Sequence, residues 1–248
     1  LSGIIVGSSA VALAVTAEAI YAQLAVRRIL RGILSKENVS EQVTRKSFIR
    51  FYLPLAITPL ASLLIHPVGS AGMSRMPEAL PSLAAWPVVY GLVFITRSLG
   101  FAFNEVVVAL LPHPNGKLEL LRFTRILAIS TSAFLGVLAL TPIGGYWFLY
   151  VAGLSEELTY ISSITLVFAI LMPGYQAYQA WYSGLLVNKN QTNGISFAVL
   201  IYAIIAIIGL WLGTRLATFP GIYWAVNVFV FAGLSQTLYL RYSYKRIG

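Results

Sequence analysis

The chain has 248 residues, of which 58% are hydrophobic and only 10% are charged. Soluble domains carry about 25% charged residues, so this composition excludes an ordinary soluble protein and indicates one embedded in a membrane. The net charge of +9 would suggest nucleic acid in a soluble protein. Here the basic residues lie in short loops, where the positive-inside rule explains them, and we expect no nucleic-acid partner.

Hydropathy predicts about seven membrane-spanning helices, each a run of roughly 20 mostly apolar residues. Their predicted ranges are 2–26, 48–69, 86–111, 121–141, 159–187, 195–213 and 219–240. The predicted fold class is therefore all-α, a polytopic membrane helix bundle. Outside connections are expected at 70–83 and, with aromatic residues at interface depth, after Pro142.

The distribution of lysine and arginine predicts the orientation. Most of these residues lie in the segment 27–50, in the loop after the third span, and in the C-terminal tail. Arg75 and Arg215 lie on the opposite side, and Arg97 lies in the membrane. The N-terminus is thus predicted to be outside and the C-terminus inside, with no signal peptide visible before the first span.

Three polar groups interrupt the third span, which reads WPVVYGLVFITRSLGFAFNEVVVALL. On an ideal helix, Arg97 and Asn104 fall within roughly 20° of each other, and Glu105 lies about 80° from Arg97. An ionised side chain at bilayer depth costs at least roughly 2.5–3.5 kcal/mol, so it is retained where it faces protein or water. We predict that this face lines an aqueous path; a structural ion pair or polar contact with another helix is the alternative.

Two other spans carry candidate pathway residues. Glu18 lies in the first span among small residues that suit close helix packing, so another helix is an alternative partner for it. In the fifth span, Gln176 and Gln179 share a face with Tyr182 nearby, at helical spacing. Such side chains line substrate cavities, and they equally serve as hydrogen-bonding contacts between helices.

The second span contains Pro54 and Pro59, which predict a kinked helix. We interpret these prolines as a hinge for alternating access, with a static kink as the alternative.

Signatures of enzymes and metal sites are lacking. The chain contains no H-E-x-x-H, G-x-S-x-G or P-loop motif, and it has no cysteine and no aspartate. His66 and His113 lie on opposite sides of the membrane in the predicted topology, so no shared metal site is expected. We predict a protein that is not an enzyme and that uses no cofactor.

Three local patterns carry a family resemblance. They are FYLPLAITPL (51–60), SGLLVNKNQTNGISF (183–197) and PGIYWAVNVFVFAGLSQTLYLRY (220–242). They resemble the start of the seventh helix, the exit of the tenth helix and the closing helix of the MOP flippase superfamily. That superfamily includes the MATE exporters and the lipid-linked oligosaccharide flippases and is built from two six-helix lobes.

Within that superfamily the order of features is most similar to the progressive ankylosis protein family. There an arginine follows the proline-rich helix, as Arg75 does here. An acidic residue near the end of the eighth helix precedes a polar turn there, as Glu105 precedes HPNGK here.

The resemblance implies a domain organisation. Residues 1–26 would be the last helix of a preceding lobe, 27–47 a basic cytoplasmic linker, and 48–248 a six-helix, MATE-like C-terminal transporter lobe. The N-terminal lobe, missing from this chain, would be a partner.

The implied function is a transporter in the plasma membrane that exports or flips an anionic or amphipathic solute by alternating access. Its partners would be the lipid bilayer and a small solute or lipid-linked substrate. Arg97 would attract negative charge, Glu105 would balance Arg97 or couple to a proton or sodium ion, and Glu18 would lie near the lobe junction. The alternative is a non-transporting membrane scaffold or subunit, in which the polar groups are packing contacts.

Overall fold

The computed structural model describes residues 3–29, 44–45, 65–189 and 191–247. All regular structure within these residues is helical. The helices with both ends in the described residues are α1 (Gly3–Ile29), α2 (Ala79–Leu110), α3 (Gly116–Leu140), α4 (Pro142–Tyr146), a π-helical turn (Trp147–Val151), α5 (Glu156–Ala169), α6 (Leu171–Asn188), α7 (Asn193–Leu216) and α8 (Gly221–Ile247). A further helical segment, 65–73, precedes α2.

Six stretches of the described residues are long and apolar enough to cross a membrane. They are formed by α1, α2, α3, α5 together with α6, α7, and α8. The protein is thus an all-α polytopic membrane helix bundle, and the predicted fold class is confirmed. The second predicted span lies mostly outside the described residues, and so do Pro54 and Pro59.

The chain divides into two compact units, Leu1–Phe51 and Tyr52–Gly248. In the first unit, every side chain of α1 from Ile5 to Arg27 is exposed, and this stretch is strongly apolar. A helix that is apolar all round is typical of a membrane span, because lipid covers every face.

Helix α6 lies at the centre of the second unit and packs against α2, α3 and α8. Glycines permit this close packing, which in lipid replaces the hydrophobic effect as the main association force. A Cβ atom added at Gly100 of α2 would lie 2.7 Å from Cγ of Gln176, and one added at Gly174 would lie 2.7 Å from Oγ of Ser132 in α3. The narrow spacing brings polar groups of α2 and α6 within hydrogen-bond reach.

Hydrogen bonds join α8 to two neighbours. Oγ of Ser82 in α2 accepts from the backbone N–H of Ile222 at 3.2 Å, and Nε1 of Trp224 donates to the carbonyl of Gly209 in α7 at 2.8 Å. Both bonds lie near the predicted outer ends of their helices, so they fix the register of α2, α7 and α8 there.

Helices α5 and α6 form one span, Glu156–Asn188, which is interrupted at Ile170. The interruption lies three residues before Pro173, which has no N–H to donate to the carbonyl of Ala169. The span therefore consists of two helical pieces, and the second piece carries both glutamines of interest.

Two boundaries differ from the sequence prediction. The helix that carries Arg97 begins at Ala79 rather than at Trp86, with Pro87 inside it, so the connection before it is shorter than expected. The stretch after Thr141, expected to be a loop, is helical. There Pro142 occupies the first turn, where its missing N–H costs nothing, and Oγ1 of Thr141 accepts from the N–H of Ile143 at 3.4 Å.

Candidate functional site

A cavity of about 370 Å³ lies in the second unit, lined by α2, α6, α7, α8 and the segment 65–73. Small-molecule sites in proteins typically measure about 300–1,000 Å³. The cavity follows one face of α2 from Trp86 to Asn104 and one face of α6 from Met172 to Val187. It is therefore elongated along the helix axes and reaches the middle of α2, a helix long and apolar enough to span a membrane.

Arg97 lies midway along this cavity. It precedes the end of α2 at Leu110 by about 20 Å, at 1.5 Å per residue. Its Nη2 donates a hydrogen bond to Oε1 of Gln176 at 2.7 Å. Its Cζ lies 5.5 Å from the ring centroid of Phe101 and 5.8 Å from that of Tyr175. The guanidinium is thus held by an amide and two aromatic rings.

The positive charge of Arg97 has no acidic partner among the residues that the structure describes, where no glutamate oxygen lies within ion-pair distance of it. Its Nε atom is buried and has no hydrogen-bond partner there. A guanidinium carries five N–H donors and stays charged in proteins. Among the described residues, Arg97 thus presents to the cavity a positive charge and N–H groups that have no acceptor. These features favour the binding of an anion in the cavity.

Amide groups line the cavity beyond Arg97. Nε2 of Gln179 donates to the carbonyl of Gly233 at 3.0 Å and to Oε1 of Gln236 at 3.2 Å, which joins α6 to α8. Oδ1 of Asn104 is buried and accepts no hydrogen bond from the described residues. A buried carbonyl without a donor is costly, so water or a ligand that donates a hydrogen bond fits beside it.

The structure brings four of the predicted site residues to this cavity, namely Arg97, Asn104, Gln176 and Gln179. Two others lie elsewhere. Glu105 is exposed and is not part of the lining, because it follows Asn104 by about 100° around α2. Tyr182 is half-buried in an apolar cluster, with its ring centroid 6.5 Å from that of Tyr244. The polar face is narrower than the sequence suggested.

The structure does not place the remaining predicted residues at this site. Glu18 is exposed on α1 in the first unit. Pro54 and Pro59 fall outside the described residues, so the predicted hinge stays a prediction.

Sequence reasoning missed an aromatic group at the other end of the cavity. The ring centroids of His66 and Tyr90 are 4.1 Å apart, those of Tyr90 and Trp86 5.4 Å, and those of Trp86 and Phe229 5.6 Å. All four side chains line the cavity. A signal was available, because Trp86 precedes Arg97 by eleven residues and so falls within roughly 20° of it on the helix.

No protein-family model, curated protein or solved structure matches this chain. The resemblance to MOP flippases therefore depends on the sequence patterns alone.

Proposed function

We propose that this protein is a membrane transporter of the MOP, MATE-like type, which exports or flips an anionic or amphipathic solute by alternating access. The observation that carries the proposal is the position of Arg97. A guanidinium without a described acidic partner lines a cavity near the middle of α2, a candidate membrane span, and it donates a hydrogen bond to the neutral amide of Gln176.

The electrostatics of such a site favour an anion. A charge in surroundings of low dielectric interacts far more strongly than in water, and low-dielectric walls concentrate its field in the cavity. An anionic group that accepts a hydrogen bond from the free Nε of Arg97 gains a charge-assisted bond, which is roughly twice as strong as a neutral one. Binding of the solute thus offsets the cost of keeping Arg97 in the membrane.

The transporter is proposed to work in the plasma membrane with its N-terminus outside and its C-terminus inside. A separate N-terminal lobe would supply the other wall of the pathway. A proton or a sodium ion would couple to transport.

The test is transport in proteoliposomes by the chain purified together with the proposed N-terminal lobe. Two probes are used, 6-carboxyfluorescein for a soluble anion and fluorescently labelled phosphatidylglycerol for a lipid anion. We expect the wild type to move one of them faster than protein-free vesicles, and Arg97→Gln to lower that rate at least about tenfold. Arg97→Lys should keep part of it, because the charge remains. Arg215→Gln, which removes an exposed arginine at the end of α7, is the matched control.

Equal rates for the wild type and Arg97→Gln would contradict the proposal. A second candidate function, a non-transporting scaffold, is favoured by the bonds of Gln179 to α8, since amides also join helices in lipid. It is supported if no variant changes transport and the cavity variants only lower stability.

A further inference from the structure

We infer that the cavity binds an amphipathic anion in one orientation. Its anionic group lies at Arg97, a hydrogen-bond donor on its polar end lies at Asn104, and its planar apolar part lies at Tyr90 and Trp86. The inference rests on the proposed function and specifies the substrate class.

The polar end of the cavity lies beyond Arg97 in chain direction. Asn104 follows Arg97 by two helical turns, about 10 Å along α2. Helices α2 and α6 run in the same direction, since Gly100 lies against Gln176 and Gly184 lies against Val107. The lining residues after Gln176 therefore lie at the same end as Asn104. They are Gln179, Ala180, Ser183 and Val187, and the polar ones, Gln179 and Ser183, lie there together with Gln236 of α8.

The apolar end lies in the opposite direction. Tyr90 precedes Arg97 by about 10 Å along α2, and Trp86 precedes it by about 16 Å. The guanidinium of Arg97 lies between the two ends of the cavity, in contact with Gln176 and with the rings of Phe101 and Tyr175. Tyr90 and His66 are only half-buried, which leaves part of their surface open to the cavity.

The three zones occur in a fixed order, and the charged zone and the aromatic zone each disfavour one class of ligand. A small inorganic anion satisfies Arg97 but leaves the aromatic end without a partner. A neutral aromatic compound contacts the rings but leaves the charge of Arg97 uncompensated. A ligand with both parts satisfies both zones, and the unpartnered Oδ1 of Asn104 adds a preference for a hydroxyl or amine on the polar end.

Binding is tested with the full chain in lipid nanodiscs. The probes are 6-bromo-2-naphthoate and 6-bromo-2-naphthalenemethanol, which share a ring and differ in charge, and protein-free nanodiscs correct for partitioning into lipid. Bromine quenches tryptophan fluorescence at contact range, so quenching reports where the ring lies. We expect the naphthoate to bind at least about tenfold more tightly than the alcohol.

Variants separate the zones. Arg97→Gln should abolish the preference for the anion, with Arg97→Lys keeping part of it in case the first variant fails to fold. Tyr90→Ala should weaken both probes and keep the preference, whereas Arg215→Gln should change nothing. For orientation, quenching should be lost in Trp86→Phe and kept in Trp181→Phe, because Trp181 belongs to the apolar cluster that contains Phe103 and Val107.

Equal affinity of the wild type for the two probes would overturn the inference, and so would quenching that depends on Trp181 rather than on Trp86. These outcomes are distinct from failure of the transport proposal. Transport of carboxyfluorescein that depends on Arg97, without ring-dependent binding, would leave a carrier of anions that ignores the aromatic end. Ring-dependent binding without transport of either probe would leave a binding protein.

Discussion

Gly100 shows how one missing side chain shapes the site. A Cβ atom there would lie 2.7 Å from Cγ of Gln176 and within 3.2–3.3 Å of the backbone of residues 176 and 177. Because the backbone cannot yield as a side-chain tip can, an added methyl group must push α2 and α6 apart. The hydrogen bond from Arg97 to Gln176 crosses the same contact.

We therefore predict that Gly100→Ala lowers the free energy of unfolding by about 1–3 kcal/mol, as overpacked cores do. It should also weaken anion binding. Gly91→Ala, on the same helix, is the control, because a Cβ there meets nothing within 4 Å and alanine favours helix. The measurement is the melting temperature of the detergent-solubilised protein. A melting temperature that Gly100→Ala leaves at the wild-type value would show that α2 and α6 are farther apart than described.

Glu105 and its neighbour Asn104 allow a second test on single residues. Glu105 is exposed and lies outside the cavity lining, whereas Asn104 lines the cavity. We predict that Glu105→Gln keeps the rate of anion transport within about twofold of the wild type, while Asn104→Leu lowers it. Proteoliposome transport measures both. Loss of transport in Glu105→Gln alone would restore the coupling role that the sequence suggested.

One amide side chain, that of Gln179, joins α6 to α8 by hydrogen bonds. If Gln179 is replaced by leucine, Gln236 loses its donor, whereas the carbonyl of Gly233 still accepts from Oγ1 of Thr237 at 2.8 Å. We predict a loss of about 0.5–1.5 kcal/mol in the free energy of unfolding, the net contribution of one hydrogen bond, because Gln236 is only half-buried.

The matched test is a double-mutant cycle. Gln179→Leu combined with Gln236→Leu removes both partners, so the double variant should be more stable than the sum of the single changes implies, by about 0.5 kcal/mol or more. Chemical denaturation in detergent measures all four proteins. Additive losses would show that the two amides do not interact.

Helical geometry explains what could be predicted of these elements. The common face of Arg97 and Asn104 follows from their spacing alone, because seven residues return almost to the same side of a continuous helix. That Gln176 meets Arg97 could not be predicted, since the register between two helices depends on close contacts such as that at Gly100. The early start of α2 at Ala79 was missed, and Pro87 does not prevent a helix there, because a proline is tolerated in a helix whose neighbours are close.

For the whole molecule, composition was sufficient to predict a membrane helix bundle, since six described stretches are apolar enough to span the bilayer. The cavity was not predictable in the same way. It requires side chains from four helices and from the segment 65–73, and no pattern within one helix records which neighbour it will meet. The proposed orientation of the protein in the membrane does not follow from the fold, because it depends on the distribution of charge between loops.

The absence of cysteine from the sequence allows a clean test of that orientation. Thr218→Cys lies in the exposed turn between α7 and α8, and Gln191→Cys lies in the exposed turn between α6 and α7. In intact cells a membrane-impermeant maleimide should label the cysteine at 218, and it should label the one at 191 only after permeabilisation. The unsubstituted chain gives the background, and the reverse pattern would invert the topology.

Because the span is interrupted at Ile170, a bend at this residue would move α6, the second half of the span. Gln176 lies about 9 Å beyond the break, so a tilt of only about 10° at Ile170 would carry its amide sideways by roughly 1.5 Å. A displacement of that size away from Arg97 would break the 2.7 Å hydrogen bond from Arg97 to Gln176. A tilt of that size would therefore leave the guanidinium without its amide partner.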